Sequence, residues 1–174
     1  MSSVYLGGSR SLPQSVGNLS LISAVVSAVV SAGHSVHVGC QLGADQAVTR
    51  CAPFSSLSIF AVASNPMSAP DHLWQACISG IVTFSAGGQS APMPARYLLR
   101  SIAAFQGCAA AVFFSPGAGS LAVAREALKA GLPVFAFQQA APARVPSSAG
   151  HWVSSSFHGF ACWQWQAPTQ PALL

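Results

Sequence analysis

Short runs of β-forming residues alternate along this chain with stretches that have the periodicity of a helix. The runs that predict strands are residues 3–6, 35–38, 57–62, 81–84, 109–114 and 133–137. The stretches that predict helices are residues 13–33, 45–51, 72–77, 95–105 and 121–130. Such alternation is typical of a mostly parallel sheet with helices on both faces. The sequence therefore predicts an α/β, doubly wound fold.

The apolar pattern supports this assignment at two places. From Ile22 to Val30, apolar residues recur at i, i+3, i+4, i+7 and i+8, which is the pattern of an amphipathic helix. The run 109–114 is apolar throughout, as expected of a strand that is buried on both faces.

The C-terminal part of the chain has a different composition. Residues 138–150 are rich in Gln, Ala, Pro and Ser and predict a loop, whereas residues 151–166 hold three of the four tryptophans. Trp163 and Trp165 have the spacing of a strand, so we expect a closing hairpin at the sheet edge, its indoles packed there rather than stacked on a base. No internal repeat is visible. We therefore expect a single domain over residues 1–174, with 138–174 as a loop and a C-terminal strand extension.

Charged residues are scarce in this chain. They make up 6% of it, with 7 Lys and Arg against 3 Asp and Glu, and give a net charge of +4. The three acids are Asp45, Asp71 and Glu126. This count argues against mechanisms that need several carboxylates, such as a two-metal site. Because the basic residues are dispersed, nucleic acid is not expected as a partner, and a few arginines that hold one small anion fit better.

Cysteine and histidine give no sign of a metal centre. The five cysteines contain no C-x-x-C, and none of the five histidines has the spacing of a metal ligand. The cysteines are interpreted as buried small hydrophobic residues in a reducing compartment, with the cytoplasm as the default. No apolar run is long enough to span a membrane, and the first residues lack the basic region of a secretory signal. A surface with so few charges also predicts a homo-oligomer.

Three glycine-rich loops, residues 7–10, 39–45 and 116–120, follow predicted strands. Ligands of open α/β sheets bind outside the carboxyl ends of the strands, and the helix starts that follow offer unpaired N–H groups to a phosphate. The loops and two helical arginines supply the candidate ligand-binding residues, which are Gly7, Gly8, Ser9, Arg10, Gly43, Ala44, Asp45, Arg96, Arg100, Pro116, Gly117, Ala118, Gly119 and Ser120. Residues 117–122 also match G-x-G-x-x-G/A, but no acidic residue follows about 20 positions later, which argues against a standard NAD site.

Three motifs in this order resemble a known group of proteins. They are Tyr-Leu-Gly-Gly-Ser-Arg at 5–10, Gly-Cys-Gln-Leu-Gly-Ala-Asp at 39–45 and Phe-Phe-Ser-Pro-Gly-Ala-Gly-Ser at 113–120. Over residues 3–137 the chain resembles the SLOG superfamily, which includes the Lonely Guy phosphoribohydrolases, DNA-processing protein A and the YspA-like proteins. The resemblance implies a Rossmann-like fold that binds a nucleotide or a nucleotide derivative over these loops. It also implies that Arg96 or Arg100 takes the place of the family's arginine on the preceding helix.

One departure from the family pattern bears on catalysis. Lonely Guy enzymes carry a glutamate about two positions after the third motif, whereas here Ser120 is followed by Leu-Ala-Val-Ala and Glu126 lies further along. Glu126 is expected to pair with a neighbouring cation, and Asp45 either binds a ribose hydroxyl or caps a helix.

The sequence therefore favours binding of a nucleotide-derived small molecule without turnover and without a required cofactor. Such a binder would sense or sequester a signal, for example a nucleotide messenger in phage–host conflict. The alternatives are a nucleotide N-glycosidase that uses Asp45 or Glu126, and a single-stranded DNA-binding protein with Arg10, Arg50 and Arg144 on the backbone.

Overall fold

In the computed structural model, which describes residues 2–143 and 149–167, the strands form one mixed sheet. The strands are β1 Ser3–Gly8, β2 Ser35–Val38, β3 Leu57–Phe60, β4 Val82–Thr83, β5 Cys108–Phe114, β6 Val134–Phe137, β7 His151–Phe157 and β8 Phe160–Gln166. Their order in the sheet is β4-β3-β2-β1-β5-β6-β8-β7. The first six are parallel, and β8 pairs antiparallel with both β6 and β7. The predicted mostly parallel sheet with a C-terminal edge hairpin is confirmed.

The helices of the described residues connect these strands. They are α1 Val16–Ser31, α2 Ala44–Cys51, α3 Trp74–Ile78, α4 Met93–Ala104 and α5 Ala118–Lys129. The predicted helix 72–77 divides into a 3₁₀ turn, Asp71–Leu73, and the short α3. Helix α4 begins earlier than predicted because Pro94 fits its first turn.

The strand order places a crevice beside β1. The chain proceeds from β1 outward to β4 and then returns to form β5 on the other side of β1. At such a switch point the loops after two adjacent strands diverge to opposite faces of the sheet and leave room for a ligand. The loops after β1 and β5 are two of the three glycine-rich loops.

The two faces of the sheet have different cores. Val4 and Leu6 of β1 point into a cluster that α1 and α2 cover, whereas Tyr5 points into a second cluster with residues of α4 and α5. The four buried residues of α1, which are Ile22, Val25, Val26 and Val29, bear out its predicted apolar stripe. Full burial of each such side chain contributes about 1.5–3 kcal/mol.

The tryptophans of the hairpin are packed. Trp165 is buried in the second cluster, and its ring meets that of Trp152 edge-on at 5.3 Å between centroids. The indole N–H of Trp163 donates to the carbonyl of Gln138 at 3.3 Å. These contacts agree with the packing role that was predicted for them.

Two other expectations concern cysteine and the membrane. All five cysteines are free thiols, of which Cys40 and Cys162 are buried and the rest half-buried. Among residues 2–143 and 149–167, no helix has the length and apolar character to cross a membrane.

Candidate functional site

A cavity of about 810 Å³ opens where β1 and β5 end, between α4 and α5. Nine of the predicted ligand-binding residues line it, namely Gly8, Ser9, Arg10, Asp45, Arg100, Gly117, Ala118, Gly119 and Ser120. The other five, Gly7, Gly43, Ala44, Arg96 and Pro116, are not among its lining residues. The structure therefore brings parts of all three glycine-rich loops to one cavity.

The backbone of the first loop is hydrogen-bonded both to the end of β5 and to the second loop. The N–H of Ser9 donates to the carbonyl of Phe114 at 3.1 Å, and the N–H of Ala44 donates to the carbonyl of Ser9 at 3.0 Å. Gly43 has a φ of +73°, and a Cβ built there would overlap the carbonyls of Ser9 and Arg10. Glycine at position 43 is thus needed for the loops to approach each other, although it does not itself face the cavity.

The third loop leads into a helix whose start is open. Gly117 is the N-cap of α5, and no side chain makes a capping hydrogen bond there. The first three residues of α5, Ala118 to Ser120, line the cavity. Their backbone N–H groups have no partner within the helix, and the helix dipole adds positive potential at this end. The start of α5 is therefore suited to an anion.

Arg10 places a positive charge at the rim of the same cavity. Its side chain is exposed, and among the described residues it makes no hydrogen bond or ion pair. The turn that contains Arg10 is held by two hydrogen bonds. They run from the N–H of Ser11 to the Ser9 hydroxyl at 3.2 Å and from the N–H of Leu12 to the Ser9 carbonyl at 3.3 Å. A fixed backbone with an unpaired guanidinium is well placed to meet a ligand phosphate.

Arg100 and Asp45 form a buried ion pair in the wall of the cavity. Arg100 Nη1 lies 3.3 Å from Asp45 Oδ2, and the two residues are only 4% and 5% exposed. The same Asp45 oxygen accepts the N–H of Gln41 at 3.2 Å. Burial raises the pKa of Asp45 above its ordinary value, and the nearby Arg100 charge lowers it in part. The charge of Arg100 is thus largely balanced inside the protein.

One of the two sequence-based alternatives for Asp45, the helix cap, is wrong. Gly43 is the N-cap of α2 and no side chain caps that helix, so Asp45 does not act as the cap. Its contact with a ribose stays a prediction. The ion pair has room because Gly39 has no side chain, since a Cβ there would overlap both the Arg100 guanidinium and the Asp45 carboxylate.

Arg96 and Glu126 have partners outside the cavity. Arg96 donates to the carbonyl of Ala91 at 2.6 Å and to the side chain of Gln89, which ties the loop before α4 to its first turns. Glu126 pairs with Lys129 at 2.8 Å on α5, as expected, and does not line the cavity. Within the described residues, no group of three or more His, Cys, Asp or Glu could hold a metal ion.

Sequence reasoning missed most of the apolar lining. The residues missed are Met93, Tyr97 and Leu98 of α4 and Ala122 and Val123 of α5, all of which line the cavity. Tyr97 also packs against the first core cluster. Tyr97 and Leu98 lie within the predicted helix 95–105, but periodicity does not show whether an apolar helix face meets a core or a cavity.

Tyr5 and Phe113 were also missed because they lie within strands. Both line the cavity from the sheet. The Tyr5 hydroxyl donates to Ser101 Oγ at 3.3 Å, and burial raises the pKa of Tyr5 to about 12. Alternation along β1 shows that Tyr5 faces opposite to Val4 and Leu6, and this was the available signal.

Comparison with known proteins finds similar folds among solved structures but no match in sequence. No protein-family model matches the sequence, and no curated protein sequence matches it. A solved structure of DNA processing protein A from Helicobacter pylori is similar, with a TM-score of 0.67 and 15% identity over 83% of this chain and 69% of that one. The chain has the Rossmann-like fold of DNA processing protein A. This confirms the predicted Rossmann-like fold.

The same protein from Streptococcus pneumoniae is also similar, with a TM-score of 0.59 and 18% identity. The match covers 80% of this chain but only 51% of that one, so this chain spans about half the length of the pneumococcal protein.

The comparison corrects one prediction about partners. The Helicobacter pylori structure was determined to study that protein's single-stranded DNA binding mode. It contradicts the prediction that nucleic acid is not a partner for this chain. That prediction used the net charge of +4 and the dispersed basic residues. Neither the net charge nor the spacing of basic residues in the sequence shows which donors the fold brings to one site, so these two features could not exclude such a partner.

Proposed function

We propose that this protein binds single-stranded nucleic acid in the cavity between α4 and α5. The observation that carries the proposal is the guanidinium of Arg10, unpaired among residues 2–143 and 149–167, at the same cavity as the uncapped start of α5. A guanidinium and free backbone N–H groups are the donors that commonly hold a phosphodiester. The shared fold with a protein studied for its single-stranded DNA binding supports the choice of ligand.

The proposal assigns the backbone contact to Arg10 alone among the three arginines that sequence reasoning named. Arg50 is exposed in the last turn of α2 and does not line the cavity. Arg144 lies outside the described residues.

Fluorescence anisotropy with a labelled oligo(dT) of about 20 nucleotides tests the proposal. Arg10→Gln should weaken binding roughly 10- to 100-fold, because a charge-assisted hydrogen bond contributes about 1.5–3 kcal/mol. Arg50→Gln is the matched control and should bind like the unmodified protein. Equal losses in the two variants, or no binding by the unmodified protein, would contradict the proposal.

A second candidate is a nucleotide-derived small molecule, held without turnover. The size of the cavity, about 810 Å³, favours it because small-molecule sites usually fall between about 300 and 1,000 Å³. Mass spectrometry of the denatured protein would detect a copurified ligand, and recovery of free base from added nucleotides would indicate the N-glycosidase instead. A sensing or sequestering role in phage–host conflict, and the expected homo-oligomer, stay predictions.

A further inference from the structure

We infer that one unstacked base, inserted between α4 and α5, supplies binding free energy comparable to that of the Arg10 contact with a phosphate. The inference rests on the proposed function, since it concerns how single-stranded nucleic acid would occupy the same cavity. It follows from the charges and from the apolar walls of that cavity.

The cavity has little net charge to offer a backbone. Among the described residues its cationic lining is Arg10 and Arg100, and Asp45 balances the second of these. Elsewhere, Arg96 is bonded to the Ala91 carbonyl and Lys129 is paired with Glu126. A strand that follows this surface would therefore release the counterions of about one or two phosphates. For single strands this predicts a salt slope, log K against log salt, of about −0.7 to −1.4.

The walls of the cavity are suited to the face of a base. Met93 and Tyr97 are four residues apart on α4, which places them on one side of that helix. Met93 is 50% exposed although its side chain is apolar. Ala122 and Val123 of α5 add apolar surface to the same lining. Bases stack readily on an aromatic ring, and loss of one such contact weakens binding roughly 5- to 150-fold.

The polar groups of the cavity lie in the same space. Gln41 and the Arg100–Asp45 pair are polar lining residues of the types that can donate to or accept from a base edge. The Ser101 hydroxyl is already used, since it accepts from Tyr5 and donates to the Tyr97 carbonyl. A base that is paired and stacked in a duplex cannot enter the cavity between α4 and α5 unless it is first extruded from the duplex. The geometry thus selects single strands by access to the base rather than by charge.

The first test uses the unmodified protein and changes the ligand. Binding of oligo(dT) of about 20 nucleotides is compared with that of an abasic oligomer of equal length, which keeps the phosphates, from 50 to 400 mM salt. The abasic oligomer should bind at least tenfold more weakly, with a slope for oligo(dT) no steeper than about −1.5. A loss below threefold, or a slope steeper than about −3, overturns the inference and leaves the proposed function intact. Failure of both oligomers to bind overturns the proposed function itself.

The second test separates the base from the backbone by mutation. Tyr97→Ala should weaken oligo(dT) binding at least fivefold and leave abasic binding within twofold, whereas Arg10→Gln should weaken both by the same factor. Ile102→Ala is the matched control, because Ile102 is 39% exposed on the same helix and does not line the cavity. A misfolded variant would lose both ligands equally. If Tyr97→Ala weakens both equally while circular dichroism shows a native fold, the base-stacking role of Tyr97 is wrong.

Discussion

The two faces of this sheet are built from one alternating set of strands, yet they serve different purposes. On the side of α1 and α2, apolar residues such as Leu6, Val26 and Phe114 fill the core. On the side of α4 and α5, Tyr5 and Phe113 lie beneath a cavity that also contains a buried ion pair. A close-packed apolar core has few voids larger than a water molecule, whereas a ligand site needs space and polar groups. Under the proposed function, the face that carries the cavity gives up some close packing in exchange for a ligand site.

The helix starts show the same contrast. Ser15 caps α1 by accepting the N–H of Asn18 at 3.4 Å, so one N–H group of the first turn has a hydrogen-bond partner within the protein. Gly117 at the start of α5 provides no such side chain. The N–H groups of α5 remain available to a ligand, and those of α1 are partly used by the protein itself.

The largest expected effect concerns Tyr5, which lines the cavity from the sheet. Tyr5 keeps its proton in the folded protein up to a pKa of about 12, whereas in the unfolded chain it ionises near its ordinary value of 10. Stability is therefore unaffected below pH 10 and is lost as the pH rises from 10 to 12. Relative to Tyr5→Phe, the unmodified protein should lose about 2 kcal/mol of unfolding free energy between pH 9 and pH 11.5. Urea unfolding at the two pH values measures this, and parallel pH profiles would show that Tyr5 is not buried as described.

A cap placed on α5 should make its start resemble that of α1. A Cβ on Gly117 meets no atom within 4 Å, and the φ of −92° suits any residue. Gly117→Asp should weaken oligonucleotide binding at least tenfold, about 1.4 kcal/mol, because the carboxylate occupies the N–H groups and repels phosphate. Gly117→Ser separates the two causes, since it caps without charge and should weaken binding less. Unchanged anisotropy titrations for both variants would exclude the start of α5 from the site.

The smallest effect is the reverse change on the other face. Ser15→Ala removes the cap of α1 and should lower the unfolding free energy by about 1 kcal/mol. Oligonucleotide affinity of the folded protein should stay the same, because Ser15 does not line the cavity. Thermal unfolding and anisotropy measure the two quantities, and a change in affinity would mean that the faces are coupled.

Much of the fold could be predicted because its signals are local. The stripe from Ile22 to Val30 and the apolar run of β5 are patterns within one element, and parallel strands bring their following loops to one edge. The short β4 was predicted over residues 81–84 but comprises only Val82–Thr83, because strand ends depend on the neighbouring strand rather than on propensity.

The chemistry of the cavity was less predictable because it depends on distant residues. Asp45 and Arg100 are 55 positions apart, and nothing local to either indicates the other. Arg96 and Arg100 are one helical turn apart and equivalent in the sequence pattern, yet one binds the loop before α4 and the other is buried beside Asp45. Only the packing of α4 on the sheet distinguishes them.

The bond from the Ala44 N–H to the Ser9 carbonyl has a consequence for binding entropy. Together with the close approach at Gly43, it holds the turn that carries Arg10 before any ligand arrives. The ordering of this backbone is therefore completed during folding, so the proposed binding would need to immobilise the Arg10 side chain but not the turn that carries it. Immobilising a flexible side chain costs about 0.5–1.5 kcal/mol. Because the turn is ordered before binding, the proposed contact of Arg10 can retain most of the free energy that it contributes.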